Sequence, residues 1–474
     1  MLSRPPLLAE TLLAGTLLAC AAAPAGAQEQ APAPDSGAAT PPAAAAPTPA
    51  PTPTITDNGR SLSGLTAAQL FDIADQARAA GRNQDAEQIY KALSQDPAVQ
   101  TRSEARFRLG MMYADQKHYT DAALAFRAIL DEQPQAARVR LELARVLTAM
   151  GDEGGARAQL RQAQASGLPP EVAVVVDRFQ QALRSNKSFG GSFEFAAAPD
   201  SNINRATSSK TLDTVIAPLT LSDDARAQSG VGAHLSGQVF ARARLSPQLA
   251  LVPRISGDGL FYKSSEFDDV SGSALLGLEW QAGARDKFMP SGGMTWRYYG
   301  GHPYARTATG DMRWIHSVGR RGQLETSFSY GSTSYSRNAL QDGGLFNLGV
   351  SLERALSARG GIGITLNGTR QTARDRGYAT ASGGITLLGW RDIGKTTLFA
   401  NVTARRLESD AQLFPFTDRR KEWFLRAGLG GTFRQIEVAG FSPVVRVAYE
   451  RNISTVGIYD YHRFNVDFGI TRAF

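Results

Sequence analysis

The chain has 474 residues, of which 47 are glycine and one is cysteine, with 42% hydrophobic residues and a formal charge of +7 at pH 7. That length excludes one compact domain, and a single cysteine excludes intrachain disulfides and cysteine-rich metal sites. Past residue 27 no uninterrupted apolar run is long enough for a membrane-spanning helix, so any crossing has to be made by strands closed into a barrel.

Residues 1–27 read as a secretion signal: Arg4 precedes an apolar stretch from Leu7 to Ala23, and the small residues Ala25, Gly26 and Ala27 place the cut before Gln28. Leu17, Leu18, Ala19 and Cys20 also permit a lipoprotein signal with a lipid on Cys20, although Leu18 is bulky where such signals have a small residue. Residues 28–59 contain nine alanines and eight prolines and almost no bulky apolar side chain, which makes them a linker.

From 60 to 186 an internal repeat is visible. Ala86, Ala122 and Ala156 are spaced by 36 and 34 residues, and each is followed four positions later by a large residue, Tyr90, Phe126 or Leu160. Sixteen positions before them stand Leu70, Arg106 and Arg140. This is the tetratricopeptide period, clearest in Leu109, Gly110, Tyr113, Ala122, Phe126 and Pro134, and it predicts a short α-solenoid of antiparallel helix pairs. Gly81 and Gly151 fall at the turns within pairs, and Glu171 to Ser185 reads as a capping helix. Such repeats bind peptides or proteins. The repeat positions are core, so candidate groove contacts are Arg78, Arg106 and Arg138; charge gives little help, with 16 basic against 15 acidic residues in this segment.

From 187 to 474 the periodicity becomes alternating. Val231, Ala233, Leu235, Gly237, Val239 and Ala241 share one face, and His234, Ser236 and Gln238 the other. Leu398, Ala400, Val402 and Ala404 repeat the pattern, as do Trp423, Leu425, Ala427, Leu429 and Phe433. About fourteen such segments predict a transmembrane antiparallel β-barrel with both ends in the periplasm. Ser246 to Gln248, Arg320 to Gly322 and Asp392 to Lys395 read as tight periplasmic turns; Ser201 to Ala227, Gly301 to Gly310 and Glu408 to Arg420 read as long outer loops. A soluble sandwich would alternate too, but strand length, turn asymmetry and the chain end favour the barrel. Phe464, Val466, Phe468, Ile470 and Phe474 resemble the terminal-strand signal read by the barrel assembly machinery of the outer membrane. The barrel segment holds 34 basic and 25 acidic residues, and its arginines are expected in the lumen or at the rims, as ordinary water-facing charges or as contacts to lipopolysaccharide phosphates or an acidic passenger.

Catalytic constellations are not apparent. His118, His234, His302, His316 and His462 are scattered, so neither metal nor cofactor is expected, and the chain does not read as an enzyme. Gly389, Gly394, Lys395 and Thr396 fit a phosphate-loop pattern formally, but Thr397 to Arg405 alternate like a strand where that loop needs a helix. Nucleic acid is not an expected partner for an exported chain.

Pro199 to Thr207 read PDSNINRAT, at the end of the first barrel segment. With the preceding repeats and a barrel of about fourteen strands, this segment, and Pro199, Asp200, Ser201, Asn202 and Asn204 within it, resembles the surface lipoprotein assembly modulator (Slam) family over residues 60–474. The resemblance implies an outer-membrane translocation factor, with its repeat domain in the periplasm, that delivers surface lipoproteins or soluble haem- or metal-acquisition proteins to the cell surface. Short polar side chains such as Asp200, Asn202 and Asn204 also bond to nearby backbone, so shaping the strand-to-loop junction stands beside passenger contact as their role. A polysaccharide exporter and a diffusion porin with a periplasmic repeat domain remain as alternatives.

Overall fold

The computed structural model describes residues 56–57, 60–61, 64–165, 188–436 and 441–472. They belong to two units that divide after Glu132.

The first unit contains α1 (Ala67–Ala79), α2 (Asn83–Leu93), α3 (Val99–Asp115) and α4 (Tyr119–Glu132). Thr66 starts α1 with a reciprocal cap: its hydroxyl accepts from the Gln69 backbone, and the Gln69 side chain accepts from Thr66 N at 2.9 Å. Two donors that a helix start leaves unpaired are thereby satisfied. Gly81 turns the chain at φ +77°, where a side chain would be strained. The buried faces of α1 and α2 are Leu70, Ala74 and Ala77 on one side and Ala86, Ile89, Tyr90 and Leu93 on the other. In the next pair a Cβ on Gly110 would lie 2.7 Å from the Phe126 ring, so glycine is what lets that ring, fully buried, fill the space between α3 and α4. Tyr113 donates to Glu87 at 2.8 Å, and Tyr90 and Arg108 both bond Asp75, which ties successive helices through polar groups.

The second unit begins with α5 (Ala137–Met150) and α6 (Glu153–Ala165), joined at Gly151 with φ +89°. A closed barrel of fourteen strands follows. Its strands are β1 (Phe189–Asp200), β2 (Gly230–Ala241), β3 (Leu249–Tyr262), β4 (Asp269–Gln281), β5 (Asp286–Tyr299), β6 (His302–Val318) and β7 (Gly322–Tyr335). The second half comprises β8 (Gly343–Ser357), β9 (Gly360–Gln371), β10 (Thr380–Ile393), β11 (Thr396–Gln412), β12 (Arg419–Phe433), β13 (Phe441–Ser454) and β14 (Tyr461–Arg472). Each strand pairs antiparallel with the next, and β14 returns to β1.

Val231, Leu235 and Val239, Leu425 and Leu429, and Phe464, Phe468 and Ile470 all point outward and are exposed. Such a surface is stable only against lipid tails, and closing the sheet pairs its last strand with its first. Among the described residues no helix is long and apolar enough to cross a membrane. β14 pairs with β1 at Asn465–Asp200, Phe468–Ala197, Gly469–Ala196 and Ile470–Phe195. Pro199, without an amide hydrogen, interrupts that seam.

Two connections differ from the sequence expectation. Gly301 to Gly310 is not a long loop: Gly300 and Gly301, both at positive φ, make a tight turn, and β6 starts at His302. Thr307 and Thr309 face inward in register with β5 and β7, and small Ala308 and Gly310 face out, so the stretch lacks an apolar stripe while still building wall. Glu408 to Arg420 is likewise mostly strand, because β11 continues to Gln412 and β12 starts at Arg419. The helix expected at Glu171 to Ser185 and the terminal Phe474 lie outside the described residues.

Candidate functional site

The periplasmic mouth of the barrel holds the α5–α6 pair. α6 offers Glu153, Arg157 and Arg161 on successive turns; Arg157 lies 3.9 Å from Glu153 on the same helix, while Glu153 and Arg161 meet lumen-facing groups near the strand ends. Glu153 pairs with Lys287 of β5 at 2.9 Å, and Lys287 also pairs with Glu279 of β4 at 3.2 Å. Glu279 holds Arg242, after β2, at 3.1 Å. Arg161 reaches Gln323 of β7 at 2.8 Å and Glu353 of β8 at 3.0 Å. Burial holds the Arg157 guanidinium below its ordinary range against the opposing charges of Glu153 and Glu279, and that of Arg161 against Glu353. These are desolvated contacts, so removing one member leaves its partner with an uncompensated charge.

Arg140 of α5 locks the pair from behind. It is 2% exposed and donates to Pro134 O at 3.1 Å, Gln159 at 2.6 Å, Gln162 at 2.7 Å and Ala358 O in the β8–β9 turn. A lysine could not fill four acceptors from a planar fork. Asp152 caps α6 by accepting from Gly155 N at 2.8 Å, and burial pushes its carboxyl up despite that bond.

A second constellation sits at the other end of the wall, where β1 leaves the membrane. Asp200 is buried, accepts from Arg463 of β14 at 2.8 Å and accepts from Asn202 N at 2.9 Å. Ser201 exchanges two bonds with the backbone of Phe464, at 3.0 and 2.8 Å. The Asn202 amide bonds Ala206 through both its ends and donates to His462 O at 3.0 Å. Asn204 donates to Arg226 O at 2.7 Å and accepts from Gln228 N at 3.1 Å. The segment therefore clips both ends of the 201–229 loop to the β1–β14 seam, which is interrupted at Pro199 where the segment starts.

Comparison with known proteins bears on both places. The profile described as surface lipoprotein assembly modifier matches residues 188–474, more than half of the chain. The chain belongs to the surface lipoprotein assembly modifier family. A tetratricopeptide repeat profile matches residues 113–173. The chain is 21% identical over 374 residues to Surface lipoprotein assembly modifier 1 of Haemophilus influenzae, covering 75% of each. Among solved structures, it is similar to the outer membrane channel DcaP of Acinetobacter baumannii, at 7% identity and a TM-score of 0.39 over 59% of this chain and 96% of that one. In-vitro folded OmpT of Vibrio cholerae aligns at 10% identity and a TM-score of 0.35 over 60% and 99%.

As a member of this lipoprotein assembly modifier family, the chain is an outer-membrane barrel with periplasmic repeats, and its motif residues have defined places. Pro199, Asp200, Ser201, Asn202 and Asn204 come together at the seam. Arg78 pairs with Asp115 at 2.5 Å and Arg106 with Glu132 at 2.7 Å, so both guanidinium groups stitch helices to one another. Arg138 is exposed near the start of α5. Phe464, Val466, Phe468 and Ile470 form the outward stripe of β14. Sequence reasoning missed the mouth contacts of Glu153, Arg161 and Arg140. The one available signal was Arg140 itself, a long cation at a repeat position that in Leu70 is apolar.

Three lumen arginines have acidic partners along the wall: Arg426 meets Glu450 at 3.3 Å, Arg313 meets Glu325 at 3.3 Å, and Arg446 meets Glu194.

Proposed function

We propose that the chain moves a surface lipoprotein, or a soluble haem- or metal-acquisition protein, across the outer membrane without covalent chemistry or nucleotide. The observation that carries this reading is the α5–α6 pair bound by charge in the periplasmic mouth of the barrel. A repeat helix pair bound there raises the local concentration of any cargo held by the repeats at the entrance. The contacts are ionic and reversible, so cargo that competes for Glu153 or Arg161 would loosen the pair. Direction would come from folding of the passenger outside. The barrel itself would be inserted by the barrel assembly machinery, using the β14 stripe.

The test co-expresses a candidate passenger with the full chain, with residues 133–165 deleted, or with residues 60–132 deleted, and measures surface exposure by protease shaving. Loss of exposed passenger in both deletions, with barrel levels unchanged, is the expected result. Equal exposure without the protein would overturn the proposal, and surface sugar polymer in its place would favour an exporter.

A further inference from the structure

The lipid-facing wall is not uniformly apolar. Near the extracellular ends of β5, β6 and β7 it carries a cavity of about 310 Å³. Trp296 and Tyr298 of β5 line one side, Pro303 and Arg306 of β6 the centre, and Ser334 and Ser336 the far side. The strand register sets Arg306 directly between Trp296 and Ser334. Toward the periplasm the outward residues turn apolar, with Met312 on β6 and Phe328 and Tyr330 on β7 exposed. Arg306 therefore stands at the upper edge of the hydrocarbon belt, beside the aromatic pair that marks the interface.

Among the described residues, the Arg306 guanidinium makes no hydrogen bond and no ion pair. The contrast with its neighbour is direct: Arg297, pointing into the lumen, is held by Asp269 at 2.6 Å. A cation at the edge of hydrocarbon is costly unless an anion meets it. Its planar fork suits a phosphate bidentately, the faces of Trp296 and Tyr298 suit a sugar ring, and the Ser334 and Ser336 hydroxyls suit sugar oxygens.

We propose that this cavity binds the phosphorylated glucosamine headgroup of lipopolysaccharide in the outer leaflet, with Arg306 on a phosphate and Trp296 and Tyr298 against the sugar. The lipidated cysteine of a passenger lipoprotein is the competing occupant. It brings acyl chains and no phosphate, which leaves the guanidinium without its anion.

The test uses the purified full chain in detergent and follows retention of lipid A carrying both phosphates by native mass spectrometry. Arg306→Ala and Trp296→Ala are each expected to raise the dissociation constant about tenfold, the loss of one charge-assisted contact or one stacking face. Arg306→Lys should restore part of it, and Lys395→Ala, in a periplasmic turn, should change nothing. Dephosphorylated lipid A should bind the unaltered protein as weakly as lipid A binds Arg306→Ala, which tests the same contact without any risk to folding. Equal binding of phosphorylated and dephosphorylated lipid would overturn the proposal. So would tighter binding of a triacylated cysteine peptide that is lost in Trp296→Ala.

Discussion

Asp200 and Arg463 form a buried ion pair, 2.8 Å from Nε to Oδ2, across the seam where the last strand meets the first. The other Asp200 oxygen accepts from Asn202 N, so one carboxylate holds both the barrel closure and the start of the outer loop. Arg463 keeps a second, longer partner in Glu450 at 3.4 Å. Asp200→Ala should therefore destabilise the folded barrel by about 3 kcal/mol, toward the low end for a broken buried pair. Asp200→Asn, which preserves the bond to Asn202 N, should cost less. Urea unfolding in lipid vesicles, read by loss of the heat-modifiable band, checks both; an unchanged midpoint in Asp200→Ala would show that closure does not depend on the pair.

Asn204 acts on the other end of the same loop. Its amide donates to Arg226 O at 2.7 Å and, more weakly, to Asp224 O at 3.4 Å, and accepts from Gln228 N. Asn204→Ala leaves these groups to water or to nothing, at about 1–2 kcal/mol, and the loss should be local. Hydrogen exchange at residues 226–228 is expected to speed up about tenfold while β2 and β14 stay protected. Exchange that accelerates equally throughout the barrel would mean that the clip is not a local device.

The mouth contacts make a charge-reversal prediction. Glu153→Lys sets a cation against Lys287 and should free α5 and α6, seen as faster exchange in both helices and larger single-channel current. Adding Lys287→Glu should restore protection, with a coupling of about 1–3 kcal/mol between the two sites. Should the double variant behave as the sum of the single ones, Glu153 and Lys287 do not hold the pair in place.

How far these places could be read from the residues alone follows from the range of the forces involved. Ala86, Ala122 and Ala156 revealed the helix pairs because close packing imposes small residues at a fixed period, and the stripe from Phe464 to Ile470 revealed a wall because lipid imposes apolar residues at every second position. Both constraints are local and repeat. Asp200 with Arg463, and Arg161 with Glu353, are single contacts between positions far apart in the chain, and nothing periodic marks them. Thr307 to Gly310 misled because outward Ala308 and Gly310 are small, so the strand carries no apolar stripe where β5 and β7 nonetheless fix it through backbone bonds.

The helical first unit should be sensitive to acid through Glu132. Burial pushes this carboxyl up, but the hydrogen bonds and charges of Arg106 and Arg102, each 2.7 Å away, more than reverse that and hold it below the ordinary carboxylate range. Glu87 is shifted the same way: burial is outweighed by Lys91 and Tyr113. In an unfolded chain both groups take up protons near pH 4.5, where the native ones are still ionised. The unfolded state then binds more protons than the native state, so stability falls as pH drops from about that value through the depressed native range, and it is fully present above. Glu132→Gln removes one of the two groups from this balance. The helical circular-dichroism melt of the full chain should shift down by a few degrees between pH 5.5 and pH 3.5, and by visibly less in Glu132→Gln, which should itself melt lower at pH 5.5. If the variant loses stability with acid as steeply as the natural sequence, the Glu132 pairing with Arg102 and Arg106 is not what makes the helices acid-labile.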